Sequence, residues 1–554
     1  MVNLNELNQF KENVKYFLNS KWFIIPLLLV TSMSFGFTLT HPTVSVDDMA
    51  MDYYYRQNEL LIQGRFFQVL IDKVLGIYNF RPFVLDFLAI LCLIAAAVLW
   101  CALFKKVTNN QLKPMVYLVF ACFFVSYPLI TEIFIYMGSD FETGLGHLMI
   151  PFILFIMDAL LSNTNNLKKP SIYMVPAFLI ALTLSLYESF AVVYLFGIFA
   201  VLILRFLYSD VSRNIREVFK HGVYFVIPLI SGIALRLVID MILKLVLHLG
   251  SSTNASKEIH WDRGIVENLP KLVDGVVLTY VYNALVYLPI TFLLLAISAT
   301  VFLTVRDGIK HRSFTIVVLY LASIVSIFSL TILQGVETPY RACTVFSVFI
   351  AFVFMLVLQV VEESKVGIVV KKAVVVVFGI MIIWQINDIN QWFYVDYLRY
   401  EEEVNVVNQV AAEIRSNYDL DKPVVFLGDY KLSDNINQYT SAEKTSLAGK
   451  LYMNLTGAEP AGKYAYKFVQ SNGDSFLDWA VGWNFENNVS EAHKFFKFLG
   501  YDFKADNYEL REEALKLAED KPAWPKKGAI FETDEFIVVN FGITEKFANQ
   551  VKLN

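Results

Sequence analysis

Between residues 22 and 389 the chain is a succession of long apolar runs divided by short polar segments. A helix rises about 1.5 Å per residue, so roughly 20 apolar residues cross the hydrocarbon core of a bilayer. A backbone in lipid finds no water to bond, so runs of this length are accommodated there as helices. The runs predict spans at 22–39, 83–104, 115–137, 147–161, 172–187, 190–207, 222–247, 276–305, 314–333, 342–360 and 373–389, about eleven in all. The stretch 172–207 is too long for one crossing and is divided at Tyr187-Glu188-Ser189. The expected fold is a polytopic α-helical membrane protein. Composition agrees: 56% of the 554 residues are hydrophobic and 18% are charged. A soluble domain has about 45–50% and about 25%.

Lys and Arg gather in cytoplasmic loops, which sets orientation. With the N-terminus inside, the inside segments before residue 390 carry about 18 basic residues and the outside segments about eight. The first run lacks a small-residue cleavage site and is read as a retained helix. An odd number of spans then leaves residues 390–554 outside the cytoplasm. The expected domains are 1–389, a transmembrane domain with long outer loops at 40–82 and 248–275, and 390–554, a water-soluble α/β or α+β domain. Within the latter, 399–418 reads as a helix with Val404, Val407, Ala411 and Ile414 on one face. Val424–Leu427 reads as a buried strand, and 528–542 as a hairpin turning near Thr533-Asp534-Glu535. In the first outer loop, 65–78 carries Arg65, Gln68 and Asp72 on one side and apolar residues on the other, the pattern of a helix lying in the membrane interface.

Several function classes are excluded. A net charge of −5 without a basic stripe gives no nucleic-acid signal. The four cysteines all fall in apolar runs, so no disulfide framework or Cys-rich metal site is readable. No phosphate-cradling glycine loop stands in a suitable context, which argues against a nucleotide-driven enzyme.

Ionisable residues in or beside a span are costly and therefore functional candidates. Asp47 and Asp48 follow the first span, with Asp52 and Arg56 close behind. Such an acidic pair can take a proton from a hydroxyl or hold a metal, or be a solvated loop. Glu132, Asp140, Glu142, Glu188 and Glu337 are further acids on the outer side. Glu188 sits in the turn between two spans, where a helix cap is the plainer role. Arg341 is suited to a phosphate or to a salt bridge with Glu337. Arg236 and Asp240 lie at i and i+4 in one span, where a structural ion pair competes with a polar cavity for a charged head group. His147 reads as a polar cap at the start of its span.

Several segments together are similar to the phage-type serotype-converting glucosyltransferases, the Gtr type II family of C-class membrane glycosyltransferases. They are SVDDMAMDYYYRQ after the first span, GRFFQVLIDKVL, the LTLSLYESF turn, QGVETPYRA, YEEEVNVVNQVAAEIRSNYDLDKPVVFLGDY, GDSFLDWAVGW and KPAWPKKGAIFETDEFIVVNFG. The likeness runs over nearly the whole chain and rests on order and topology more than on any one motif. It implies a bundle with a cavity open to lipid and to the outer space, in the cytoplasmic membrane. The implied donor is a polyprenyl-phosphate sugar, with glucose expected, and the acceptor is a cell-envelope glycan such as O-antigen, wall polysaccharide or teichoic acid. The implied base is Asp47 or Asp48, and the reaction inverts the anomeric carbon. Asp52, Arg56, Glu188, Arg236, Glu337 and Arg341 are the implied binding residues, with Arg341, Arg56 and Arg236 facing the leaving phosphate. Glu188 departs from the neutral polar residue expected at that turn. No cofactor and no metal are expected. A polyprenyl-phosphate-sugar synthase and a flippase are the expected partners. Trp479, Trp483 and Trp524 are candidates to stack on acceptor sugars, with core packing as the alternative.

Other classes compete. A transporter or flippase of lipid-linked glycans would show repeat symmetry and broken midplane helices, and no such symmetry is visible in the sequence. A surface-glycan polymerase or ligase would join lipid-linked chains. A membrane anchor whose soluble domain only binds glycan would keep its function when Asp47 and Asp48 are replaced.

Overall fold

The structure is a computed structural model that describes residues 4–45, 57–76, 82–135, 140–161, 169–208, 215–250, 264–273, 288–335, 338–433 and 491–545, with a few isolated positions. The described residues fall into two compact units, the first mainly 4–40 and 57–391, the second mainly 41–45, 392–433 and 491–545.

The first unit is helical. It contains α1 (Leu4–Asn19), α2 (Lys21–Phe35), α3 (Gln57–Ile62), α4 (Phe66–Leu75), α5 (Pro82–Val107), α6 (Pro114–Val125), α7 (Ile130–Ile135), α8 (Asp140–Leu161) and α9 (Met174–Leu184). It continues through α10 (Phe190–Tyr208), α11 (Ile215–Val246), α12 (Ile265–Leu272), α13 (Leu288–His311), α14 (Phe314–Ile327), α15 (Ser329–Gln334) and α16 (Val345–Glu363) into α17 (Ile368–Asn417). Among the described residues, α5, α8, α10, α11, α13, α16 and α17 are long and apolar enough to cross a membrane. The pair α1–α2, bent by 69° at its junction, makes up to eight. The protein is therefore a polytopic helical membrane protein.

A helix that is apolar all round must be covered by protein or by lipid, and the bundle uses both. The most apolar part of α16 is 78% buried within the protein, so α16 forms the centre. That of α11 is only 17% buried, and Leu237, Met241 and Leu245 are exposed on it. Those side chains suit lipid contact.

Close packing depends on small residues, as is usual between membrane helices. Helices α5 and α8 pack along one another. A Cβ on Gly144 would stand 2.8 Å from the Ala89 carbonyl oxygen, and one on Gly146 would stand 2.1 Å from the Phe190 ring. At the far end of the same helices, Asp158 binds Lys106 and also Arg205, the latter at 2.6 Å, while Glu6 approaches Lys106 at 2.6 Å. Glu6 belongs to α1, which lies in the polar stretch ahead of the first apolar run. That stretch is amphipathic: it buries Phe10 and Phe17, with Phe10 stacked 3.8 Å from Phe155.

Several spans differ from the expected bounds. The expected 115–137 run is broken between α6 and α7, where Pro128 lacks an N–H and disfavours helix in the residue before it. The 314–333 run breaks at Phe328, between α14 and α15. The expected 147–161 span begins at Asp140, because its first two turns are polar yet helical. The expected span 373–389 and helix 399–418 are one continuous helix, α17, of 50 residues. The division at Tyr187–Ser189 is present as a turn.

In the second unit, Val407, Val410, Ala411 and Ile414 of α17 are fully buried. A three-stranded sheet of β1 (Val424–Leu427), β2 (Ile530–Glu532) and β3 (Ile537–Asn540) has the order β1-β3-β2. Strand β1 runs parallel to β3, with Val424 opposite Ile537, and β2 runs antiparallel to it, with Ile530 opposite Val539. The turn of the hairpin is closed by Thr533 N–H to the Phe536 carbonyl at 2.8 Å. Two helices, α18 (Glu491–Phe498) and α19 (Tyr508–Ala518), complete the unit, and Phe426 of β1 packs 4.6 Å from the Phe496 ring of α18.

Asp158 holds the buried Lys106 and the partly buried Arg205, and since Glu6 remains on Lys106, Asp158→Asn should strand Arg205. Breaking a buried pair in this way costs about 3–5 kcal/mol. Thermal melting of the purified variant in detergent should show a clearly lower Tm, and an unchanged Tm would exclude this structural role.

Candidate functional site

The end of the bundle opposite Asp158 gathers acids and arginines. It is assembled partly by the short helices α3 and α4. Leu60, Leu61 and Val69 form a cluster with Phe66 that packs on Leu243 and Leu249, at and just beyond the end of α11. Gly64 lies between the two helices at φ 77, and a Cβ there would stand 3.0 Å from Arg236 Nη2. Only glycine meets both demands without strain. Helix α4 turns its polar side inward: Gln68 and Asp72 are buried while Leu70, Val74 and Leu75 are exposed. That polarity is the reverse of a soluble surface helix and suits a helix lying in the interface.

The inward side chains meet a second row of acids. Asp72 hydrogen-bonds with Glu142 of α8. Asp86 of α5 accepts from the Thr38 hydroxyl at 3.0 Å and faces Asp140, the first residue of α8. Two facing carboxyls bond only when one of them holds a proton. Gly144 allows the close approach of α5 and α8 on which this pairing depends. Burial pushes the Asp72 carboxyl from 3.8 up to about 6, with the bond to Glu142 acting in the opposite direction.

Arginines border this acidic row. The Arg65 guanidinium lies 5.3 Å from the centre of the Tyr187 ring and also acts on Glu142. Arg236 donates to Glu188 and, at 3.1 Å, to the Gln63 carbonyl. Arg341, in the turn Tyr340–Ala342 before α16, lies 3.6 Å from the buried Glu132 of α7. Tyr187 is within electrostatic range of Arg65, Arg341, Glu188 and Glu132, so both ion pairs converge on it.

The structure thus brings together Glu188 and Arg236, with Arg341 close by. The i,i+4 pairing expected of Arg236 and Asp240 is replaced: Asp240 takes Lys244 at 2.8 Å, and Arg236 reaches across to Glu188. The Glu188 side chain serves that ion pair rather than a helix cap. His147 is not a cap either; its buried ring packs edge-on against Phe124 and Phe190, at 5.4 and 5.1 Å. Asp47, Asp48, Asp52, Arg56 and Glu337 lie outside the described residues, as do Trp479 and Trp483. Asp86 was not singled out from the sequence, and Arg65 and Tyr187 were read there only as part of a polar helix side and of a turn. Asp86 carried a usable signal, a lone acid inside an apolar run. Among the described residues, no group of three or more His, Cys, Asp or Glu is arranged to hold a metal ion.

Residues 36–358 match the family model described as glucosyl transferase GtrII. The chain belongs to this family. No match was found to a curated protein or to a solved structure. Membership of the GtrII family makes the protein a glucosyltransferase and sets the transporter and anchor readings aside. The whole acid–arginine cluster, from Arg65 to Arg341, lies inside the matched region.

The approach to the Asp47-Asp48 loop is anchored separately, within the second unit. Thr43 donates its hydroxyl to Asp396 of α17, and Arg399 donates to the Val44 carbonyl at 3.0 Å. Arg399 also binds Asp396 at 2.9 Å and Glu403 at 2.6 Å, and Glu403 accepts from the Leu477 N–H at 2.9 Å. The arginine is 2% exposed, so this GtrII chain fixes residues 43 and 44 by a buried network that leaves little slack.

The raised Asp72 pKa has a consequence for stability. Between pH 3.8 and about 6 the unfolded chain gives up this proton while the folded protein keeps it, so stability falls as pH rises through that window. Asp72→Asn should remove that part of the slope, seen as Tm against pH in detergent. An identical slope in the variant would show that Asp72 ionises normally.

Proposed function

We propose that the protein moves glucose from a polyprenyl-phosphate donor to a hydroxyl of a cell-envelope glycan, with inversion at the anomeric carbon. The supporting observation is the convergence of Glu188–Arg236 and Glu132–Arg341 on Tyr187 within the matched glucosyl transferase region. Guanidinium groups at the ends of apolar helices suit a phosphate carried on a lipid, because a planar fork gives it two parallel hydrogen bonds. Arg341, whose side chain is 46% exposed, is the most accessible of the two paired arginines.

In this reading Asp47 or Asp48 accepts the proton of the acceptor hydroxyl as that oxygen bonds to the anomeric carbon. The bond from that carbon to the phosphate oxygen breaks, and its electron pair leaves with polyprenyl phosphate. Arg341, Arg236 and Arg56 stabilise the charge that develops on the leaving phosphate. Asp52, Glu188 and Glu337 complete the binding set. This transfer balances without a cofactor.

The reaction takes place on the outer face of the cytoplasmic membrane, with the N-terminus cytoplasmic and the region beyond residue 390 outside. In this reading each of the seven long helices, the bent α1–α2 pair and the shorter apolar helices Pro114–Val125, Pro170–Leu184 and Phe314–Ile327 is counted as one crossing, about eleven in all. A synthase that loads the lipid and a flippase that turns it over supply the donor.

The test is transfer of labelled glucose from polyprenyl-phosphate glucose into envelope glycan, by membranes holding equal amounts of each variant. Either Asp47→Asn or Asp48→Asn should lose about 10²–10⁴-fold, the range for a general base. Arg341→Gln should lose about 10²-fold, as for one group that stabilises developing charge. Wild-type membranes that transfer no label from glucose or any other polyprenyl-phosphate sugar would overturn the donor assignment.

A further inference from the structure

The second unit contains a cleft of about 530 Å³ lined by Glu402, Tyr430, Lys431, Ser433, Trp524 and Phe541 among others. This volume lies in the range of small-molecule sites, roughly 300–1,000 Å³. All the lining residues fall beyond residue 358, and the cleft shares no residue with the acid–arginine cluster. We propose that it binds a neutral hexopyranose unit of the acceptor glycan, held between the Trp524 ring and the polar rim of Glu402, Asp429 and Ser433. The proposal rests on the reading that the acceptor is a glycan.

Four observations carry it. First, the aromatic wall is held in place. The Trp524 backbone N–H donates to the Asn540 carbonyl at 2.8 Å, the Tyr430 ring lies 6.5 Å from the Trp524 ring and 5.9 Å from Phe541, and the tryptophan is only partly buried. The C–H face of a pyranose is apolar and its edge is a row of hydroxyls, so it matches a flat ring with polar groups at the margin.

Second, the polar rim is already oriented. Glu402 accepts from the Tyr430 hydroxyl at 2.8 Å, from the Ser433 N–H at 2.7 Å and from the Ser433 hydroxyl at 2.6 Å. Burial and the bond to Glu402 push the Tyr430 hydroxyl up, so it remains a donor. Asp429 is held by the Thr544 hydroxyl. A preorganised rim binds without a further ordering cost.

Third, the backbone around the cleft needs glycine. Gly428 has φ 92 and a Cβ there would stand 2.5 Å from the Gly542 carbonyl oxygen, while Gly542 itself has φ 122. Asp429 N–H bonds that same carbonyl at 2.9 Å, which brings the Asp429–Ser433 segment alongside Phe541–Thr544. Fourth, the charged lining residues are Glu402, Asp429 and Lys431, two acids and one base. A polyanionic glycan would meet net repulsion there, whereas a neutral one would not.

The test uses full-length protein in nanodiscs on an array of neutral and anionic hexose oligosaccharides, without donor. Wild type should bind neutral oligosaccharides, Trp524→Ala should lose binding at least tenfold, and Trp524→Phe should retain most of it. In the transfer assay Trp524→Ala should raise the acceptor KM about tenfold and leave kcat and the donor KM unchanged. Binding that favours anionic glycans, or that survives Trp524→Ala, overturns the cleft assignment. So does an unchanged acceptor KM in a variant that still transfers. Absence of transfer in wild type bears on the transfer reading alone, because array binding is measured without it.

Discussion

Every charge that this chain carries into its apolar bundle must be neutralised there, and the two ends of the bundle meet that demand in opposite ways. At one end Glu6 and Asp158 balance Lys106 and Arg205, two acids against two bases in mutual contact. At the other end Asp72, Asp86, Glu132, Asp140, Glu142 and Glu188 face Arg65, Arg236 and Arg341. Six acids with three arginines cannot all pair as ions, and Asp72 with Glu142, like Asp86 with Asp140, stand carboxyl against carboxyl. The first arrangement is a finished structural joint. The second carries more acids than bases, and in the proposed reading it receives a phosphorylated lipid and a hydroxyl acceptor.

The acidic end exists because of shape as much as charge. Gly144 lets α5 and α8 touch, which brings Asp86 to Asp140. Gly64 lets the α3–α4 pair close over Arg236. Helix α4 then delivers Asp72 to Glu142 by turning its polar side inward and presenting Leu70 and Val74 outward. In water such a helix would be inside out. The exposed Leu70, Val74 and Leu75 suit contact with lipid at a bilayer surface.

Much of the fold was legible because its signals are local. Apolar runs of sufficient length mark the bundle, the charged Tyr187-Glu188-Ser189 turn marks a division, and period and turn chemistry mark β1 and the β2–β3 hairpin. Signals that depend on distant residues were not legible. Arg236 and Asp240 have the spacing of a pair, yet Arg236 finds Glu188, 48 positions away, and Asp240 finds Lys244. The first turns of α8 look like loop because Asp140, Glu142 and His147 are polar, and only their burial against α5, α4 and Phe190 makes helix tolerable there. Continuity of α17 past residue 389 is also hidden, since its outer surface changes from apolar to charged midway along one unbroken helix.

The paired state of the arginines bears on how a phosphate would enter. Arg236 and Arg341 already have carboxylate partners in Glu188 and Glu132. In the proposed reading a phosphate carried on a lipid exchanges with one of these carboxylates at the arginine. The Arg236 side chain, 15% exposed, is already largely out of water, so in the proposed reading an exchange there costs less than drying a solvated arginine would. The carboxylate that is displaced must find a proton or another donor. Tyr187, within electrostatic range of both pairs and of Arg65, lies where that rearrangement would be felt. In the proposed reading the acids beside the arginines compete with phosphate for them, which favours departure of the leaving carrier.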